Sequence, residues 1–468
     1  MLIRPLRRLL VALLFAVVAF GGWVGGISPA ATRIDRLANA APSGPLETAP
    51  PSPSSSPAAS LAAVPPQTDD HPPIPSASPD IGTSITPTTP GNPSGLPSAT
   101  AAVQAALDAR LELWRVKTGT PGVSVAILFP DGSAWHGAAG LADVKAGRKV
   151  TPDTAFPIAS VSKTFTSALV LDLVADGRLS LDGRARSYLP TLPIDPAITI
   201  RQLLDHTSGL RDFYINNKID AALRRDRSRV WDPQMSLRFM GKPYGKPGTL
   251  WHYSNTNYLV LGMIAEAVGK APVADQLRAR FFGPLGLDDT WYQVAEQPRT
   301  ALAKAYQQSG TKATATPVSL SDGHGISPFT SVITASGAAG SVASTAGDLA
   351  RWVSALYGGN ALEPAARSAL IGSVVETAPY RPAIGYGLGV QAVKIDGHPT
   401  LGHSGRFLGA RAAARWLPTE RLSIAVVTNQ SRADPNVLVA DLLKIVFPPK
   451  PAPTPAATHA SPSPSAHS

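Results

Sequence analysis

Apolar positions recur with a regular period only between about residues 101 and 447 of the 468-residue chain. Val103, Leu107, Leu111 and Leu113 predict a helix over 101–115. The run 122–128 (GVSVAIL) predicts a strand, and Asp131-Gly132 turns it into a second over 133–139. From residue 160 the pattern is helical: Phe165, Leu169, Val170, Leu173 and Val174 make one buried stripe, which Gly177 ends. Thr199 is an N-cap for a short helix that stops before Gly209. Residues 257–268 predict a buried helix, and another begins at 346. Strand patterns return over 386–391 and 400–405. Residues 410–417 and 421–428 form a hairpin about Pro418-Thr419-Glu420, and 423–427 are apolar enough for a central strand. A closing helix covers 437–446. Strands at both ends with helices between them define an α/β class. We expect an antiparallel sheet flanked by helices, with an inserted helical lobe that carries the helices at 257–268 and 346. A site belongs where the two lobes meet.

The flanks lack this periodicity. Residues 1–40 begin with Arg4, Arg7 and Arg8 before an apolar run from Leu9 to Phe20, the pattern of an export signal with Ala38-Asn39-Ala40 as its cleavage site. The stretch 9–27 is also just long enough for an uncleaved membrane anchor, and both readings stay open. Residues 41–100 and 448–468 are rich in Pro, Ser and Ala, with few large side chains to offset the entropy of ordering. They are expected to be a disordered tether and tail around a folded body at 101–447. The expected location is outside the cytoplasm, secreted or tethered at the outer face of the cytoplasmic membrane, with the cell envelope as partner. The net charge of +10 fits an anionic envelope; its cations are scattered without a nucleic-acid-binding pattern. The absence of cysteine removes disulfides, thiolate metal sites and a thiol nucleophile. No metal cluster or cofactor motif is read from the chain, and its oligomeric state is left open.

Candidate chemistry falls in three stretches. In the first, Ser160 and Lys163 stand three residues apart, on one face of a helix start. An alcohol needs its proton removed to attack, and a lysine amine with a lowered pKa can take it. In the second, Tyr253 and Asn255 follow a Pro247-Gly248 turn. Tyr253 near Lys163 has its phenolate form favoured and can relay a proton, while Asn255 can bond Lys163 or a substrate amide. In the third, His403-Ser404-Gly405 precedes Arg406. Gly405 lets a substrate lie against a strand edge, and the Arg406 N–H pairs with that of Ser160 as an oxyanion hole. His403 either orients the tyrosine or contacts a substrate carboxylate. His206 reads as a buried structural residue beside the turn at Gly209, and Asp212 as a cap or loop brace. Trp251, Tyr214 and Phe407 either line the cleft or pack within the body.

The ordered set Ser160/Lys163, Tyr253/Asn255 and His403-Ser404-Gly405 resembles the serine β-lactamase and penicillin-binding family, in the branch of class C β-lactamases, D-alanyl-D-alanine carboxypeptidases and related esterases. Residues 203–210 (LLDHTSGL), 344–349 (STAGDL) and 386–389 (YGLG) resemble structural signatures of that branch. The resemblance covers about 105–447. It implies a β-lactamase/transpeptidase-like fold and an acyl-enzyme on Ser160, with Lys163 and Tyr253 sharing the proton work. It departs at residue 403, where class C β-lactamases carry lysine and the carboxypeptidases resemble His-Thr-Gly. The expected activity is D-alanyl-D-alanine carboxypeptidase on peptidoglycan-type peptides. A β-lactamase, a carboxylesterase and a non-catalytic binding module on the same fold are the competing readings. The substrate is in each enzymatic case a small molecule or peptide with an amide, lactam or ester carbonyl.

Overall fold

The computed structural model describes residues 97–308, 316–377 and 384–448. The export signal or anchor, almost all of the tether and the tail lie outside the described residues. The chain enters through α1 (Ala101–Thr118), capped by the Thr100 hydroxyl on the Val103 N–H and closed by Gly119 at φ 65°. A nine-stranded antiparallel sheet follows in chain order: β1 (Gly122–Leu128), β2 (Ala134–Asp143), β3 (Arg148–Lys149), β4 (Val375–Glu376), β5 (Gly385–Tyr386), β6 (Gln391–Ile395), β7 (His398–Phe407), β8 (Ala410–Leu417) and β9 (Leu422–Thr428). Its spatial order is β3-β2-β1-β9-β8-β7-β6-β5-β4. The first and last strands in sequence therefore pair at the centre, with Val125 opposite Val426 and Ala126 opposite Ala425. The central place expected for 423–427 is where that segment lies.

Both faces of the sheet are covered, so its central strands are buried at nearly every position rather than at alternate ones. One face turns Val123, Val125, Ile127, Ala413, Ile424 and Val426 to α1 and to α5 (Pro435–Val446). The other turns small residues, among them Ala126, Ala412, Ala414 and Ala425, to a core shared with α2 (Ser162–Ala175), α3 (Asn255–Gly269) and α4 (Ala346–Val353). Alanine at these positions lets helices approach the sheet closely. We expected α4 in the inserted lobe. It packs on the sheet instead, through Leu349, Ala350, Trp352 and Val353.

Helix α2 also differs from expectation. It is buried nearly all round rather than along one stripe. Its polar residues are satisfied individually: Thr166 donates to the Ala338 carbonyl at 2.7 Å, Ser162 accepts from the Val342 N–H at 3.1 Å, and Thr164 accepts from the Trp352 indole at 2.8 Å. Such a helix sits at the centre of the body and can carry a polar group deep without exposing it. The single strand expected over 386–391 is broken into β5 and β6. Gly389 bends the chain between them at φ 89°, and a Cβ there would lie 1.8 Å from Ser167 Oγ on α2.

Candidate active site

Ser160 stands in a 3₁₀ turn (Ala159–Val161) that runs straight into α2. The turn is entered sharply: Ala159 has φ 48°, a left-handed conformation that alanine rarely adopts. The first hydrogen bond of the turn runs from the Val161 N–H to the Ile158 carbonyl, so the Ser160 N–H precedes the intrahelical donors. One turn on, the Lys163 amine reaches back to Ser160 Oγ at 3.0 Å. Lys163 is fully buried. Its other contacts are Asn255 Oδ1 at 2.7 Å and the Ala339 carbonyl at 2.9 Å. Both are acceptors and occupy two N–H bonds. The third position on the nitrogen faces the serine: a donor in the ammonium, a lone pair in the amine.

Burial brings the Lys163 pKa down to about 7, against the opposing pull of the Asp212 carboxylate. Asp212 also sets the Asn255 amide. Asn255 Nδ2 donates to Asp212 Oδ2 at 2.7 Å, which turns Oδ1 toward Lys163. Asp212 serves as the expected cap too, accepting from the Tyr214 N–H at 2.9 Å. Its link to the site was not readable from the sequence, because nothing local ties residue 212 to residue 255.

Tyr253 comes from the loop before α3. Backbone bonds from Gly248 N–H to the Thr207 carbonyl (2.8 Å) and from His252 N–H to the His206 carbonyl (3.0 Å) lay that loop on the 206–209 segment. The phenol then donates to Ser160 Oγ at 2.9 Å, and the Lys163 nitrogen lies 5.1 Å from its ring centre. Serine, amine and phenol from two distant segments thus meet at one oxygen.

The third stretch lies on β7. Strand β6 pairs with β7 only as far as Gln391 opposite Gly402, so residues 404–407 run on beyond that pairing. The Ser404 N–H turns to that side and donates to Gln391 Oε1 at 3.1 Å. By strand alternation the Arg406 N–H faces the same edge. Gly405 has a reason other than the one expected. A Cβ on it would lie 2.1 Å from the Ile158 carbonyl, so the glycine lets β7 touch the turn that holds Ser160.

Two side chains of the third stretch face inward. Ser404 was read with His403 and Gly405 as binding or orienting a substrate. The Ser404 side chain points to the α5 side of the sheet, bonded to Arg415 Nη2 at 2.6 Å and Asn436 Nδ2 at 3.0 Å. His403 is buried, with its ring nitrogens 3.0 Å from Tyr386 Oη and 2.6 Å from the Ser404 carbonyl, so it is not offered as an open contact for a substrate carboxylate. Its ring centre is 6.4 Å from that of Tyr253. Tyr386 was read only as part of a signature. His206 is buried as expected and bonds Tyr386 at 3.1 Å. Tyr214 and Phe407 pack inside the body, and Trp251 clusters with Tyr253 and Tyr386.

The fold and the three converging stretches are those of the serine β-lactamase and penicillin-binding class. A model of the family described as Beta-lactamase matches residues 100–445, and the chain belongs to that family, a family of serine hydrolases. A D-aminopeptidase of Cereibacter sphaeroides is 30% identical over 337 residues, covering 70% of this chain and 60% of its own length. Penicillin-binding protein 4 of Amycolatopsis lactamdurans is 29% identical over 338 residues, covering 68% of this chain and 84% of its own. Among solved structures, D-amino acid amidase from Ochrobactrum anthropi SV3 in complex with D-phenylalanine matches with a TM-score of 0.65 at 25% identity, over 74% of this chain and 99% of the amidase. The chain thus spans 60% of the length of that D-aminopeptidase.

Proposed function

We propose that this protein hydrolyses amide bonds whose acyl half is a D-amino acid, through an acyl-enzyme on Ser160. The observation that carries the reading is the Ser160 hydroxyl, 3.0 Å from the buried Lys163 amine and 2.9 Å from the Tyr253 phenol. Ser160 Oγ attacks the carbonyl carbon while its proton passes to the neutral Lys163 amine. The N–H groups of Ser160 and Arg406 hold the oxyanion. As the C–N bond breaks, Tyr253 gives its proton to the leaving nitrogen and regains one from the Lys163 ammonium. Water then attacks the ester, and its proton returns to Ser160 by the same groups. An extended substrate lies along the open edge of β7 as one more strand.

The D-aminopeptidase and D-amino acid amidase likenesses support a D-configured acyl group. The finer reading is an exported D-alanyl-D-alanine carboxypeptidase acting on peptidoglycan-type peptides; the likeness to a penicillin-binding protein and the signal-like N-terminus support it. A second reading, release of an N-terminal D-residue, is favoured by the third stretch, where residue 403 is a buried histidine and no lysine ammonium is present.

The test is to incubate the protein separately with an N-blocked D-Ala-D-Ala peptide, D-alanine amide with a free amine, a fluorescent penicillin and p-nitrophenyl acetate. Intact mass should place an acyl group on Ser160, and Ser160→Ala should lose it while circular dichroism stays unchanged. Release of D-alanine from the blocked peptide supports the carboxypeptidase, and turnover of the free-amine amide supports the aminopeptidase. Rapid lactam turnover alone identifies a β-lactamase, and ester cleavage alone an esterase. No acylation by any of the four sinks the hydrolase and leaves the binding module.

A further inference from the structure

Two signature segments, 203–210 and 386–389, take no part in the mechanism above, yet they meet behind it. His206 Nδ1 receives the Ser254 N–H at 3.2 Å and Asn257 Nδ2 at 3.3 Å. The Asn257 amide is oriented by its oxygen, which accepts from Ser208 Oγ at 2.7 Å. Both groups facing Nδ1 are therefore donors, and Nδ1 carries no proton. The His206 proton lies on Nε2 and is donated to Tyr386 Oη at 3.1 Å. The Tyr386 hydroxyl lies 3.0 Å from His403 Nε2 and also meets the Tyr258 hydroxyl. His403 Nδ1 lies 2.6 Å from the Ser404 carbonyl, a group that only accepts, so the His403 proton is on Nδ1 and Nε2 is left to accept. The Ser254 N–H thus fixes the His206 tautomer and the Ser404 carbonyl that of His403, and Tyr386 satisfies both by accepting from the first ring and donating to the second. All three rings are buried. A second proton on His206 or on His403 sets donor against donor at that ring.

We propose that Tyr386 is a positioning residue. With His206 it locks the His403 imidazole as the neutral Nδ1–H tautomer. The chain begins at Ser254, next to Tyr253, and ends at Ser404, next to Gly405. It therefore ties the proton-relaying phenol to the strand that presents the Arg406 N–H. The same lock commits residue 403 to internal contacts, so the site selects its substrates without a cation at that position.

The experiment has two arms on the full chain. In the first, ¹⁵N-histidine spectra of the native protein report the tautomers, with a proton expected on Nδ1 of His403 and on Nε2 of His206. This arm is independent of any catalytic reading. In the second, which rests on the proposed acyl-enzyme, Tyr386→Phe keeps the ring and removes the hydroxyl. Acylation should slow about tenfold or more, as expected for an orphaned buried hydrogen-bond pair, with KM changed by less than about twofold. A purely structural role lowers the melting temperature without that split between kcat and KM. A proton on His403 Nε2 overturns the proposal, as does Tyr386→Phe acylating within about twofold of native. If Tyr386→Phe does not fold, the native spectra decide alone. If the native protein acylates with nothing, the hydrolase reading fails while the tautomers still decide this one.

Discussion

Lys163 is an ionisable amine held in full burial, and the conflict between the two is measurable. The folded pKa of about 7 lies below the ordinary lysine value of 10.5. Between those values the unfolded chain holds a proton that the native state has released. Stability should therefore rise with pH across that window, at most by about 1.4 kcal/mol per pH unit. Lys163→Met removes this contribution, so the difference between native and variant denaturant midpoints should slope from pH 7 to 10; parallel curves would refute the shift. The same amine sets the acid limb of acylation, which should rise as Lys163 loses its proton near pH 7. The Asp212 carboxylate holds that pKa up, so Asp212→Asn should move the limb to lower pH. A pH–rate profile with burst kinetics checks the direction, and a shift to higher pH would count against the assignment.

At the scale of elements, the site is a meeting of one turn, one loop and one strand edge. The contact between the turn and the edge depends on Gly405 having no side chain, because a Cβ would overlap the Ile158 carbonyl. Gly405→Ala should push β7 off the Ser160 turn and slow acylation by about a hundredfold, the scale of a one-ångström misplacement. Stopped-flow acylation with a fluorescent penicillin measures this, and a rate within threefold of native would show that the contact is dispensable. These elements differ in how far the sequence revealed them. Ser160 and Lys163 were legible because three residues on a helix start fix their meeting locally. Tyr253 and Asn255 were legible from a turn and a spacing. The all-round burial of α2 was not, since Ser162, Thr164, Thr166 and Ser167 look solvent-facing until distant groups are found to satisfy them. Nor was the break at Gly389, which exists because α2 passes beneath it. The turning away of Ser404 was hidden for the same reason, since Arg415 and Asn436 reach it only once the sheet is assembled.

For the molecule as a whole, the groups named in the site all lie among the described residues. If the flanks are the tether and tail that their composition suggests, a truncation to residues 97–448 should acylate within about twofold of the full chain. Loss of acylation with unchanged circular dichroism would refute the division into body and flanks. The sheet itself is long-range: β1 has β9 as its neighbour, with Val123 opposite Thr428. Pairing of that kind closes slowly, because the chain between must be gathered first. During synthesis this has a plain result. A ribosome that has delivered Ser160, Lys163 and Tyr253 has still not delivered the middle plank of the floor they rest on. The nascent protein stays unarmed until β9 emerges, and acyl transfer waits for the closed sheet.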